Sequence, residues 1–179
     1  MAITFDASRK IFKLDAPSTT YAFTVHEAGY LFHLYYGAYL PDDNLLFMLD
    51  RGMFSSFCPD FPHYVATGIS PDVTPSEYSV AGTGDFRVSA LQIRNKNGDV
   101  STDIRYVSHR ILTEKPALCG MPSLRDENGD SETLEITARD AATGAVVKLY
   151  YTVYGDMPVM TRSAAVEDRK STRLNSSHS

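Results

Sequence analysis

Leu134-Glu135-Ile136-Thr137-Ala138-Arg139 leads through Ala142-Thr143-Gly144 into Val146-Val147-Lys148-Leu149-Tyr150-Tyr151-Thr152-Val153, which leads through Gly155-Asp156 into Val159-Met160-Thr161-Arg162-Ser163. The runs are rich in β-branched and aromatic residues, and the breaks between them hold turn-forming residues. The stretch therefore reads as successive β-hairpins. Working outward, Val88-Ser89-Ala90-Leu91-Gln92-Ile93-Arg94 has period two and is predicted as a strand, and Asp103 to Ile111 as another. Between them Asn95-Lys96-Asn97-Gly98-Asp99 suits a hairpin turn, because Asn-Gly tolerates positive φ. Further upstream Tyr21 to Val25 alternates. Leu31 to Tyr36 is predicted to put Phe32, Leu34 and Tyr36 on one face, and Leu31, His33 and Tyr35 on the other.

These strands imply an all-β fold, an antiparallel β-sandwich, since no long amphipathic helix separates them as a βαβ architecture requires. One short helix is predicted to open at Pro41, with Asp42 and Asp43 near its positive end. Leu45, Leu46 and Leu49 would share a face and Gly52 would close it. From Gly52 to about Gly84 one long irregular loop is predicted, because Pro59, Pro62, Pro71 and Pro75 cannot donate to a ladder. No internal repeat or linker divides the domain.

The chain has 179 residues, enough for one ordinary domain with a core, and a formal net charge of −5. An acidic chain without a Lys/Arg cluster argues against nucleic acid and anionic membrane surfaces as partners. No apolar run is long enough to span a bilayer. Met1-Ala2-Ile3-Thr4-Phe5-Asp6 lacks a basic segment followed by an apolar one, so a cytoplasmic location is expected. Cys58 and Cys119 lack a disulfide framework and are expected to be small buried or half-buried hydrophobes. His26, His33, His63, His109 and His178 are scattered, so no metal site is expected, and nothing implies a cofactor. Gly82-Thr83-Gly84 is followed by neither lysine nor helix, so it reads as a turn entering a strand at Phe86 rather than a phosphate loop. Asp85 and Arg87, two apart, are expected to pair.

Five segments follow one another in a fixed order: Gly29-Tyr30-Leu31-Phe32-His33-Leu34-Tyr35-Tyr36-Gly37, Glu77 to Arg87, Thr133-Leu134-Glu135-Ile136, Leu149 to Asp156, and Arg162-Ser163. Together they resemble the N-terminal domain of glycoside hydrolase family 36, the bacterial and fungal alpha-galactosidases, over about residues 2–167. The resemblance implies a large antiparallel supersandwich. It also implies an enzyme that, as a whole, hydrolyses terminal non-reducing alpha-galactosides of the melibiose and raffinose type with retention. The catalytic aspartates of the family lie on a downstream (β/α)₈ barrel, so the resemblance implies no catalytic residue in this fragment. The implied partners are that barrel, a galactoside and further copies of the chain.

A glycosidase pair of carboxyl groups stands about 5–5.5 Å apart for retention. Asp50, Asp60, Glu77 and Asp85 are the acids to consider, and each is expected to be a solvated loop acid. Asp50 has a second reading: Leu49-Asp50-Arg51 matches a family "L-D-R" whose aspartate accepts galactose hydroxyls in a neighbouring protomer's site. A carboxylate suits that task, since it accepts two charge-assisted hydrogen bonds at once. Tyr35, Tyr36, Tyr39, Tyr150, Tyr151 and Tyr154 are expected to pack in core and interface. Asp168 to His178 resembles one reading frame of a sequencing adapter, so residues 168–179 are expected to be an artefactual or disordered tail. A free-standing carbohydrate-binding module and a structural assembly domain are the alternative readings of the same sandwich.

Overall fold

The computed structural model describes residues 2–51, 61–95, 98–168 and 171–175. Gly52, Cys58, Pro59, Asp60, Lys96, Asn97 and residues 176–179, His178 among them, lie outside the described residues. Two antiparallel sheets face one another. The first is a meander of β1 (Ala2–Asp6), β2 (Ile11–Ala16), β3 (Thr19–Val25) and β4 (Leu31–Ala38). The second is a meander of β5 (Ile104–Leu112), β6 (Glu132–Asp140), β7 (Val146–Val153), β8 (Met160–Asp168) and β9 (Ser171–Asn175). The three strands of the opening stretch are thus adjacent, with Leu134 opposite Tyr151 and Tyr151 opposite Arg162. Strand β9 falls within residues 168–179, set aside above as a tail, and pairs with β8.

Between the sheets lies one core. Phe12, Leu14, Tyr21, Phe23 and Val25 meet Leu134, Ile136, Val147, Leu149, Tyr151 and Val153. The outer face of the first sheet is covered as well, because Leu45, Leu49 and Ile69 pack on Ile11, Ala22, Phe32 and Leu34. Strands covered on both faces are buried almost end to end rather than alternately. Lys13 emerges on the covered face of β2, 5% exposed. Its ammonium is matched by Asp43 at 3.0 Å and Asp15 at 3.3 Å.

Several expectations need correction. The strict alternation of Leu31–Tyr36 fails at a β-bulge: Ala22 faces Tyr35, but Phe23 faces His33, so Leu34 is the extra residue. The bulge puts Tyr35 beside Phe32 and Leu34 and turns Tyr36 toward Tyr21, with ring centroids 5.7 Å apart. The Pro41 helix is only a 3₁₀ turn at Leu46–Met48, because the Asp42 carboxylate takes the Asn44 amide at 2.8 Å and holds the chain in a turn. Leu45 and Leu49 still reach the core, as their spacing requires. A short helix, α1 (Phe61–Thr67), instead lies inside the predicted loop. Cys119 is exposed rather than buried.

Another concerns Val88–Arg94, which is not a ladder strand. It makes one parallel bridge, Leu91 to Val80, and Val88 is 94% exposed. Nor does a strand begin at Phe86. The Asn-Gly turn forms, with Gly98 at φ +89° and the Asn95 amide on the Asp99 carbonyl at 2.9 Å. Its two arms are parted because residues 79–83 thread between them. Ser79 O takes the Ala90 amide at 3.0 Å, and Thr102 O takes the Gly82 amide at 2.8 Å. A Cβ on Gly82 would stand 2.2 Å from the Thr102 carbonyl oxygen, so only glycine fits this crossing. Gly82→Ala is expected to lower stability by about 1–3 kcal/mol through overpacking against backbone. Urea unfolding checks this, and an unchanged midpoint would contradict the threading.

Candidate functional site

Residues 75–77 add a short antiparallel bridge to the free edge of β4. The His33 amide donates to Pro75 O and the Glu77 amide to Leu31 O, each at 2.9 Å, around the pair Phe32–Ser76. Strand alternation then aims Glu77 between the sheets. Its side chain is 1% exposed. Tyr21 Oη donates to both carboxylate oxygens, at 2.6 and 2.8 Å, and Tyr151 Oη donates at 2.9 Å. Arg162 Nη2 lies 2.7 Å from Oε1 and also donates to the Glu77 carbonyl at 3.0 Å. His33 Nδ1 stands 3.5 Å from Oε2. The guanidinium also lies over the Tyr21 and Tyr151 rings.

Four segments singled out in the sequence thus meet at one point through His33, Glu77, Tyr151 and Arg162. Tyr21 is the member sequence reasoning missed. It carries no motif and showed in the sequence only as the first residue of the alternating run Tyr21–Val25. Glu77 is therefore not the solvated loop acid expected. Burial, then the Glu77 charge, pushes both phenols well above their ordinary value, so they stay protonated donors. Burial opposes the Arg162 charge, but Glu77 and the phenols outweigh it and hold the guanidinium above its usual range. With every donor aimed at it, the carboxylate serves as a lock between sheets rather than as a proton shuttle.

Asp85 also departs from expectation, being 7% exposed. It pairs with Arg87 as predicted: Nε reaches Oδ1 at 2.8 Å and Nη2 reaches Oδ2 at 2.8 Å. Those bonds hold its carboxyl below the usual range. Asp50 is exposed, directly after the buried anchor Leu49. Its backbone carbonyl accepts from Thr74 Oγ1 at 3.2 Å, which fixes where the side chain leaves the domain. Tyr151 and Tyr154 are core residues, while Tyr36 and Tyr39 are exposed. Among the described residues no His, Cys, Asp or Glu cluster is arranged to hold a metal ion. No described helix is long and apolar enough to cross a membrane.

The sequence profile of the glycosyl hydrolase family 36 N-terminal domain matches residues 29–176. The chain belongs to glycosyl hydrolase family 36. Within that family it is 36% identical to alpha-galactosidase AgaA of Geobacillus stearothermophilus over 178 residues, 97% of this chain and 24% of the relative. It is 35% identical to the bifunctional alpha-galactosidase/sucrose kinase AgaSK of Mediterraneibacter gnavus, over 94% of this chain and 18% of the relative. The crystal structure of the family 36 alpha-galactosidase AgaB from Geobacillus stearothermophilus superposes with a TM-score of 0.84 at 36% identity, over 94% of this chain and 23% of that one. The chain thus spans about a quarter or less of the relatives it matches, and it corresponds to their N-terminal, non-catalytic region.

Two outcomes test the Glu77 lock of this family 36 chain. Arg162→Ala leaves a buried carboxylate without its counter-ion and is expected to cost about 2–4 kcal/mol in urea unfolding. That lies below the top of the range for a broken buried pair, because Arg162 is partly exposed and two phenols remain. A loss under about 0.5 kcal/mol would reduce the pair to a surface contact. The second concerns alkali. With the folded pKa of Tyr21 and Tyr151 raised, the folded chain keeps protons that the unfolded chain releases. Stability is then full below about pH 10 and falls as pH rises further. Tyr21→Phe/Tyr151→Phe should flatten that alkaline slope, and an unaltered slope would contradict the assignment.

Proposed function

We propose that this chain is the N-terminal sandwich of an alpha-galactosidase that, as a whole, hydrolyses terminal non-reducing alpha-galactosides with retention in the cytoplasm. The observation that carries the reading is the match of nearly the whole chain to about a quarter of AgaA. Solved structures of AgaA variants hold raffinose, stachyose and 1-deoxygalactonojirimycin, which supports a galactoside as substrate. The sandwich itself does not break the bond. Of its candidate acids Glu77 is consumed by the lock and Asp85 by Arg87. The catalytic pair belongs to a downstream barrel, against which the sandwich packs.

Asp50 is the residue of this domain that touches substrate. In an assembly of several copies it reaches a neighbouring protomer's site and accepts hydroxyl hydrogen bonds there. Its exposure and its backbone tether to Thr74 support that role: the carboxylate is presented outward from a fixed point. The 179-residue chain is expected to release no galactose from raffinose. In the enzyme extended through its barrel, Asp50→Ala should lower kcat/KM by about 10–100-fold, as loss of a charged hydrogen bond of about 1.5–3 kcal/mol requires. Hydrolysis by the isolated chain would overturn the first statement. Unchanged kcat/KM in the extended Asp50→Ala enzyme would overturn the second.

A further inference from the structure

Two clefts meet on the second sheet. The first, of about 270 Å³, opens between residues 76–79 and strands β7 and β8, with Ser76, Ser79, Tyr150, Arg162 and Ser163 on its walls. The second, of about 260 Å³, lies under the 115–124 loop, with Pro116, Leu118, Tyr150, Thr152 and Ser163 among its walls. Tyr150, Arg162 and Ser163 line both. Tyr150 and Ser163 face each other across β7 and β8 and are directly paired in register. Each side chain is half-buried. None of the described hydrogen bonds engages the Tyr150 or Ser163 hydroxyl, although both sit where a bound molecule would lie. The core lock does not use either group.

We propose that the Tyr150–Ser163 junction is a binding site for a neutral saccharide, one hexose unit seated in each cleft. The argument is one of chemistry. An aromatic wall gives apolar area for the C–H face of a pyranose, and hydroxyl groups at its edge give donors and acceptors for sugar hydroxyls. Of the two cations in the walls Arg162 is already matched, because its Nη2 is bonded to Glu77. Lys115, in the wall of the second cleft, donates to Leu124 O at 2.9 Å, with its ammonium 5.4 Å from the Tyr154 ring centroid. Both cations thus have partners within the protein, and a chain of net charge −5 disfavours an anion. The two small volumes suit single sugar rings in sequence, as in an oligosaccharide. The first cleft, with Ser76, Ser79 and Ser163 on its walls, disfavours an apolar peptide.

The choice of saccharide rests on the reading of the chain as part of a glycoside hydrolase, but the test measures binding and not hydrolysis. Raffinose is titrated into the ¹⁵N-labelled 179-residue chain and amide shifts are followed. Saturable shifts are expected at Tyr150, Thr152 and Ser163, with Kd of about 1–10 mM. Tyr150→Ala should weaken binding about tenfold or more, while Tyr150→Phe, which keeps the ring, should stay within about threefold. Ser163→Tyr fills the junction from its rim and should abolish binding in a folded chain. It serves as the blocking variant if Tyr150→Ala does not fold. Galacturonate should bind no more tightly than galactose. No saturable shift, undiminished binding in Ser163→Tyr, or a preference for the anionic sugar would each overturn the proposal. Binding by this chain together with an extended enzyme inert on galactosides would overturn the family reading's substrate and leave the site standing.

Discussion

The Glu77 carboxylate is shut away from water, and a buried charge is tolerated only with donors around it. No single sheet supplies them. Tyr21 and His33 come from β3 and β4, and Tyr151 and Arg162 from β7 and β8. The two sheets therefore share one set of hydrogen bonds and must meet in one alignment to complete it. The apolar attraction between Phe12, Phe23, Ile136 and Leu149 is non-directional and does not by itself name one alignment. The polar cluster removes that freedom. Arg105 works the same way at another point of the interface: it bonds Asp103, Ala28 O and the Tyr30 hydroxyl, and its guanidinium packs over the Tyr30 ring.

The second sheet was the part most legible in the sequence. From Glu132 to Ser163 its strands are consecutive and its turns short, so local pattern and final pairing coincide. The first sheet was harder to read. β2 carries no clean alternation because both of its faces are covered, and a pattern of period two expects one wet face. The failure at Val88–Arg94 has a different origin. Its residues have strand periodicity, yet the partner edge is occupied by the segment around Gly82, a long-range event that no local window contains. The bulge at Leu34 likewise lies beyond periodicity, and it decides that Tyr35 packs beside Phe32 and Leu34 while Tyr36 meets Tyr21.

Legibility of the site divides along the same line. The motif residues His33, Glu77, Tyr151 and Arg162 were visible as a set, but their convergence was not, because four separate elements bring them together. Asp50 was visible only by resemblance, and the fold adds the physical reason it is well presented. It follows a buried leucine, and its own carbonyl is tied to Thr74, a fully buried residue. A backbone anchored this close to Asp50 would lose little further freedom in the contact proposed for it.

The order of strands has a consequence for biosynthesis. Each sheet is assembled from neighbours in sequence, with residues 39–103 running between them. The first meander can emerge from a ribosome and pair while the second is still unmade. During that interval Phe12, Phe23 and Tyr21 lack their covering layer, and Glu77 lacks its counter-ion. The nascent chain thus passes through a sticky, half-closed state of the kind that draws chaperones. Its lifetime is set by translation past Arg162.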